Sequence, residues 1–175
     1  NYINNYTIGE ECYISNVSTI ETTEGATYGE GNLISVLNEV GEGNITLFGG
    51  LNSQLAAFMV KHNADRELRE RLRQMIADEL NRMLPDRGTI GFGVKIVNTR
   101  EVINTIVLDY CEVNGTARLF DCSLLSVAGS AVYVGSEVIC ENSIVADGSS
   151  ITNGCNLQDC FVGEACQLTN GFTAS

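Results

Sequence analysis

Residues 125–175 fall into three consecutive blocks of 17, LSVAGSAVYVGSEVICE, NSIVADGSSITNGCNLQ and DCFVGEACQLTNGFTAS, which keep one pattern when written under one another. Ala128, Val145 and Val162 align, followed by Gly129, Ala146 and Gly163; Val134, Ile151 and Leu168 form a second column, and Val132, Ser149 and Cys166 a third. Within a block the apolar steps are six, six and five residues, from Val145 to Ile151 to Leu157 to Val162. A fixed short period marks a solenoid, in which each repeat buries its apolar face only against its neighbours. A six-residue step has room for a short strand and a sharp turn, so three steps close one triangular coil. Like residues then stack between coils at the strand spacing of ~4.8 Å. Eighteen glycines and a single proline suit such a chain of tight turns.

The amino-terminal end repeats the same text. Ile8-Gly9-Glu10-Glu11-Cys12-Tyr13-Ile14-Ser15-Asn16 parallels Val162-Gly163-Glu164-Ala165-Cys166-Gln167-Leu168-Thr169-Asn170. Steps continue at Ile20 and Ala26, and appear again at Val107, Val113 and Leu119, with small residues Cys111, Ala117 and Ser123 in the matching place. The stretch 124–127 loses step, which suggests a bulge or small excursion. Asn114-Gly115, Asn153-Gly154 and Asn170-Gly171 are expected turn corners, since both residue types tolerate left-handed backbone.

The pattern [LIV]-[GA]-x-x-[small]-x, clearest at Ile8-Gly9-x-x-Cys12, Val145-Ala146-x-x-Ser149 and Val162-Gly163-x-x-Cys166, resembles the hexapeptide-repeat proteins. The resemblance covers roughly residues 1–30 and 105–175. It implies a mainly β fold, a left-handed parallel β-helix; the hand comes from the resemblance, while the spacing shows only a coil. Members include sugar acyltransferases and the carboxy-terminal domains of nucleotide-sugar pyrophosphorylases, and the run from Asp159 to Asn170 resembles the latter. The whole arrangement is similar to an uncharacterised Bacteroidetes family labelled as related to UDP-N-acetylglucosamine pyrophosphorylase. The resemblance implies a scaffold, oligomerisation or regulatory region with no complete catalytic site. Its alternative is a sugar O- or N-acyltransferase using acyl-CoA, with its active site between subunits. Expected partners are a nucleotide sugar or acyl-CoA, further copies of the chain (a trimer by family habit) and the remainder of a longer protein.

One segment breaks the repeat. Leu51, Leu55, Phe58, Met59, Leu68, Leu72, Met75, Ile76, Leu80, Met83 and Leu84 form an apolar stripe at helical spacing. The reading is a short helix over about 53–62 and a longer one over about 64–84, with Ser53 and Asn63 as N-caps and Pro85 as the stop. The expected division is therefore 1–50 for the first coils, 51–87 for a helical insertion, and 88–175 for a return strand and the remaining coils. Gly88–Val97 is the expected return strand, with glycine bends.

The formal charge is −12, and residues 51–87 carry +1 of it, leaving −13 on the rest. That field repels phosphate backbones, so nucleic acid is excluded as an expected partner. No run approaches the ~18 apolar residues of a membrane span. Seven cysteines without a CxxC pair, beside one histidine, predict no metal site and no cofactor; reduced, buried thiols in a cytoplasmic protein are expected. His62, the only histidine, is the one candidate general base, but it sits near a helix end outside any hexad, where a surface or capping role is favoured. Arg66, Arg69 and Arg73 share one helix face and are candidate phosphate ligands, weighed against an ordinary solvated face. No GxGxxG or GxxxxGK[ST] loop is present.

Overall fold

A computed structural model describes residues 2–35 and 44–175. The protein is mainly β, with long parallel sheets and two helices. Within the expected first segment, 1–50, residues 1 and 36–43 lie outside the described residues, as does the Met83 side chain of the expected apolar stripe.

The parallel strands stand in three columns. In the first, Ile3, Ile20, Val102, Leu119, Cys140, Leu157 and Ala174 succeed one another in register. In the second the succession is Ile8, Ile90, Val107, Leu124, Val145 and Val162. In the third it is Ile14, Ile96, Val113, Val134, Ile151 and Leu168. Ile8, Val145 and Val162 thus share one column, as the repeated text requires. Most registers advance by 17 residues, as from Tyr2 to Thr19 or from Glu101 to Arg118. Most of these residues, with small ones between them, Cys111, Cys122 and Cys155 among them, form one buried apolar cluster, while Ile3 and Ile8 on the first rungs are exposed.

The strands Glu101–Val107, Arg118–Leu124 and Ile139–Val145 serve two columns each and bend between them. The bends are at Asn104, Asp121 and Asn142, with φ of 49°, 47° and 49°. Asn and Asp enter left-handed backbone at the least cost among residues with a Cβ, which is why these types stand there. Gly115, Gly154 and Gly171, with φ of 75°, 71° and 71°, turn another corner.

Two registers depart from the period. Thr19 pairs with Glu101, 82 positions on: one 17-residue repeat plus a 65-residue excursion running from Thr23 to Arg87. The ladder therefore breaks after Thr22, well before the expected helices, and Ala26 is not a step of it. Gly88–Val97 returns the chain to the ladder as two short strands, bent at the glycines between them. Gly88–Ile90 and Lys95–Val97 are rungs of the second and third columns, joined by a turn. The second departure is Leu124 pairing with Val145, 21 positions on. Four extra residues bulge out beside a bridge between Val127 and Ser130, so Ala128 and Gly129 are exposed and Leu124 and Leu125 hold the places expected for them. Ser123 likewise faces the excursion, donating to the Tyr28 carbonyl at 2.8 Å, and Cys122 is the core residue.

The excursion climbs the first corner before it turns helical. The Thr23 N–H donates to Asn104 Oδ1 at 2.8 Å, and the Thr27 and Tyr28 N–H groups donate to Asp121 Oδ1 at 2.8 and 3.0 Å. Gly29 passes so close that a Cβ there would lie 2.8 Å from the Ser143 carbonyl oxygen. An antiparallel hairpin pairs Leu33–Ser35 with Asn44–Thr46. Helices α1, Ser53–Lys61, and α2, Arg66–Met83, follow. Their N-caps are Asn52 and Asp65, each one or two residues from the expected Ser53 and Asn63; the Asn52 and Asp65 side chains accept from the Leu55 and Leu68 N–H groups at 2.9 and 3.1 Å. Ile45, Leu47 and Leu51 then pack on Ile144, making a second apolar cluster outside the second column. That column is consequently covered on both faces, the environment in which parallel strands lose their polar alternation.

Candidate functional site

The doubly covered column explains the run Ile106-Val107-Leu108: Val107 belongs to the main apolar core, while Ile106 and Leu108 face the excursion. The excursion does not close fully against them. A cavity of about 720 Å³ remains between the second column and the two helices. Its floor is Thr89, Ile106, Leu108, Ser123 and Leu125. Its helical wall is Leu55 and Met59 of α1 with Leu72, Ile76 and Leu80 of α2. Phe48, Gly49 and Gly50 close one side, and Leu84 with Pro85 another. This is the size and lining of a small-molecule pocket, in which a few polar groups fix orientation.

The polar groups are few and acidic. Glu30 enters from the excursion's first limb, and its Oε2 accepts from the Gly49 N–H at 2.9 Å. Burial among apolar side chains pushes the Glu30 carboxyl up to about 7, against a smaller opposing pull from the Gly49 N–H. Near neutrality it therefore exchanges between an acid and a carboxylate, able to accept a ligand's proton or pair with its charge. Glu79 of α2 also reaches the cavity and lies 3.8 Å from Arg82 outside it. Among the described residues, no Lys, Arg or His lines the cavity.

One buried tyrosine ties the two limbs of the excursion together, and a second braces the strands beneath it. Tyr28 donates to the Pro85 carbonyl at 3.0 Å, tying the outgoing limb to the returning one. Tyr6 donates to the Thr105 carbonyl at 2.9 Å and accepts from the Thr105 N–H at 3.0 Å; burial raises its phenol to about 12, so it stays a neutral donor. Gly88 leaves room for that ring, since a Cβ there would strike it.

The residues singled out from sequence gather elsewhere. His62 is the C-cap of α1, its N–H donating to the Phe58 carbonyl and its ring 4.6 Å from the Phe58 ring. With Arg69 and Arg73 it lines a recess of about 20 Å³, room for about one water. Arg69 Nη1 donates to the Asn63 carbonyl at 3.1 Å, binding the interhelical turn. Arg66 is exposed and does not line that recess. Met59 and Leu72 form a wall common to the recess and the cavity. Sequence reading missed Glu30, which has no motif around it. The readable signal was the outward apolar set Ile106, Leu108 and Leu125 on strands whose outer faces should be polar.

Among the described residues no group of three or more His, Cys, Asp or Glu could hold a metal ion, and no helix is long and apolar enough to cross a membrane. Fold and cavity define a parallel-sheet protein with an apolar cleft on one flank. The chain belongs to the family described as Domain of unknown function (DUF4954), whose model matches residues 1–175. No curated protein and no solved structure matches it.

Proposed function

We propose that this chain is a left-handed parallel β-helix of the hexapeptide-repeat type, the scaffold region of a protein related to nucleotide-sugar pyrophosphorylases. In this reading it is not a complete enzyme. It binds a small apolar molecule on its flank, as a regulatory or holding module. The 17-residue registers in three columns support the coil. The observation that carries the binding role is the cavity of about 720 Å³ between α1, α2 and the second column. Trimerisation and a cytoplasmic location belong to the same proposal; seven free cysteines support a reducing compartment.

The acyltransferase alternative gains one observation, a carboxyl titrating near neutrality inside an apolar cleft, where a general base would stand. Glu30, not His62, is the residue it would use. Against it, the phosphates of acyl-CoA or a nucleotide sugar find no cation in the cavity lining.

The test is titration with a neutral solvatochromic dye such as Nile red. One saturable site is expected, abolished by Ile76→Arg at the buried centre of the helical wall while far-UV circular dichroism is unchanged. Unsaturable dye uptake, or full binding by the variant, overturns the binding role. Acetyl transfer from acyl-CoA to an amino sugar, lost in Glu30→Gln, would favour the alternative.

A further inference from the structure

The cavity's charge distribution narrows what it can hold. We infer that its ligand is an aliphatic amine: a hydrocarbon body lying against Ile106, Leu72 and Ile76, and a protonated nitrogen paired with the Glu30 carboxylate. This deepens the binding role proposed above and rests on it.

Three observations lead there. First, the lining is apolar apart from Glu30, Glu79, Thr89, Ser123 and the glycine backbone. An ionised head group placed inside must therefore find its counter-charge among these, because an unpaired charge in such surroundings is strongly disfavoured. Second, the available counter-charge has one sign. Glu30 and Glu79 are the ionisable side chains of the lining, and no cation accompanies them. A carboxylate or phosphate head would meet like charge, inside a protein that carries −12 overall. Third, Glu30 has capacity to spare. Its Oε2 takes the Gly49 N–H, and a carboxylate has about four acceptor sites, so an ammonium group can be received without displacing that bond. Ser123 does not compete, because its hydroxyl is committed to the Tyr28 carbonyl.

A neutral Glu30 pairs weakly with an ammonium ion, so amine binding strengthens as Glu30 ionises. Glu79 of α2 is the other ionisable side chain among the described lining residues, and none comes from α1 or from the strand floor. An alkylammonium group, titrating like a lysine near ~10.4, stays charged over the range in which Glu30 changes state. The amine's advantage over an uncharged analogue therefore grows from about pH 6 to about pH 8.5.

The experiment displaces Nile red from the full chain with decylamine, decanol and decanoate, on the native protein and on Glu30→Gln. The glutamine carbonyl keeps an acceptor for the Gly49 N–H. In the native protein at about pH 8.5 decylamine is expected to bind about tenfold more tightly than decanol, the worth of one charge-assisted hydrogen bond, with decanoate weakest. In Glu30→Gln the amine preference disappears while decanol binds as before, which also shows that the variant is folded. Equal binding of the amine and the alcohol, or a preference surviving in Glu30→Gln, overturns the inference and leaves the cavity's binding role standing. Failure of all three chains to compete sinks both.

Discussion

Asp121 is where the excursion is tied to the ladder, and replacing it by alanine tests how the two are joined. Its Oδ1 accepts from the Thr27 and Tyr28 N–H groups at 2.8 and 3.0 Å and from the Thr27 hydroxyl at 3.3 Å. Hydrogen bonds to a charged acceptor contribute about 1.5–3 kcal/mol each, and water replaces part of this because Thr27 is half-buried. Asp121 also holds φ at 47°, where alanine costs about 1 kcal/mol more. The net loss expected for Asp121→Ala is about 3 kcal/mol. For a chain of this size that lowers Tm by about 6–12 °C. Asp121→Asn, which keeps an acceptor and suits the backbone, should lose less than half as much. Thermal unfolding measures the total, and amide hydrogen exchange locates it. Protection should fall first at Thr27 and Tyr28 while Leu119 and Val102, fully buried in the main core, keep theirs. The reasoning fails if Asp121→Ala lies within about 0.5 kcal/mol of the native protein, the ordinary surface value. It fails equally if the asparagine variant is the more damaged.

Glu30 makes stability depend on pH with a stated sign. Its carboxyl is raised to about 7 in the folded chain from 4.5, so the folded state holds the proton more tightly and its stabilising effect is complete below about pH 4.5. It is lost as pH rises through 7, by at most about 3 kcal/mol, and denaturant titrations of Glu30→Gln should lack this component. Gly88→Ala should cost about 2–4 kcal/mol by driving the Tyr6 ring from its place, visible as a lower urea midpoint; an unchanged midpoint would contradict the packing. Burial pushes the Cys111 thiol upward, a hydrogen bond with Cys122 and then burial push the Cys140 thiol upward, and Cys122 and Cys155 are equally enclosed. Iodoacetamide should therefore modify only the half-buried Cys12, Cys160 and Cys166 of the native protein, and mass spectrometry finding label on Cys111 would refute the assignment.

The period of 17 was legible from the residues themselves. Stacking at one strand spacing places like side chains above one another, so the interior columns through Val134, Ile151 and Leu168 are written as a repeat. The two helices were legible for the same reason, an apolar stripe at their own spacing. The lost step at 124–127 announced the second break, but neither signal fixes which residues leave the ladder. The four extra residues near Ala128 have the composition of the repeat around them, and Ala26 looks like a step because alanine fits any small position; only the register excluded both. The cavity and Glu30 were decided by the tertiary structure alone. Thr27 and Tyr28 meet Asp121 from 94 and 93 positions away. Gly49 meets Glu30 across a chain excursion that carries no period. Periodic text encodes contacts that recur, whereas a single contact between distant segments is fixed by how the whole excursion packs on the strands beneath it.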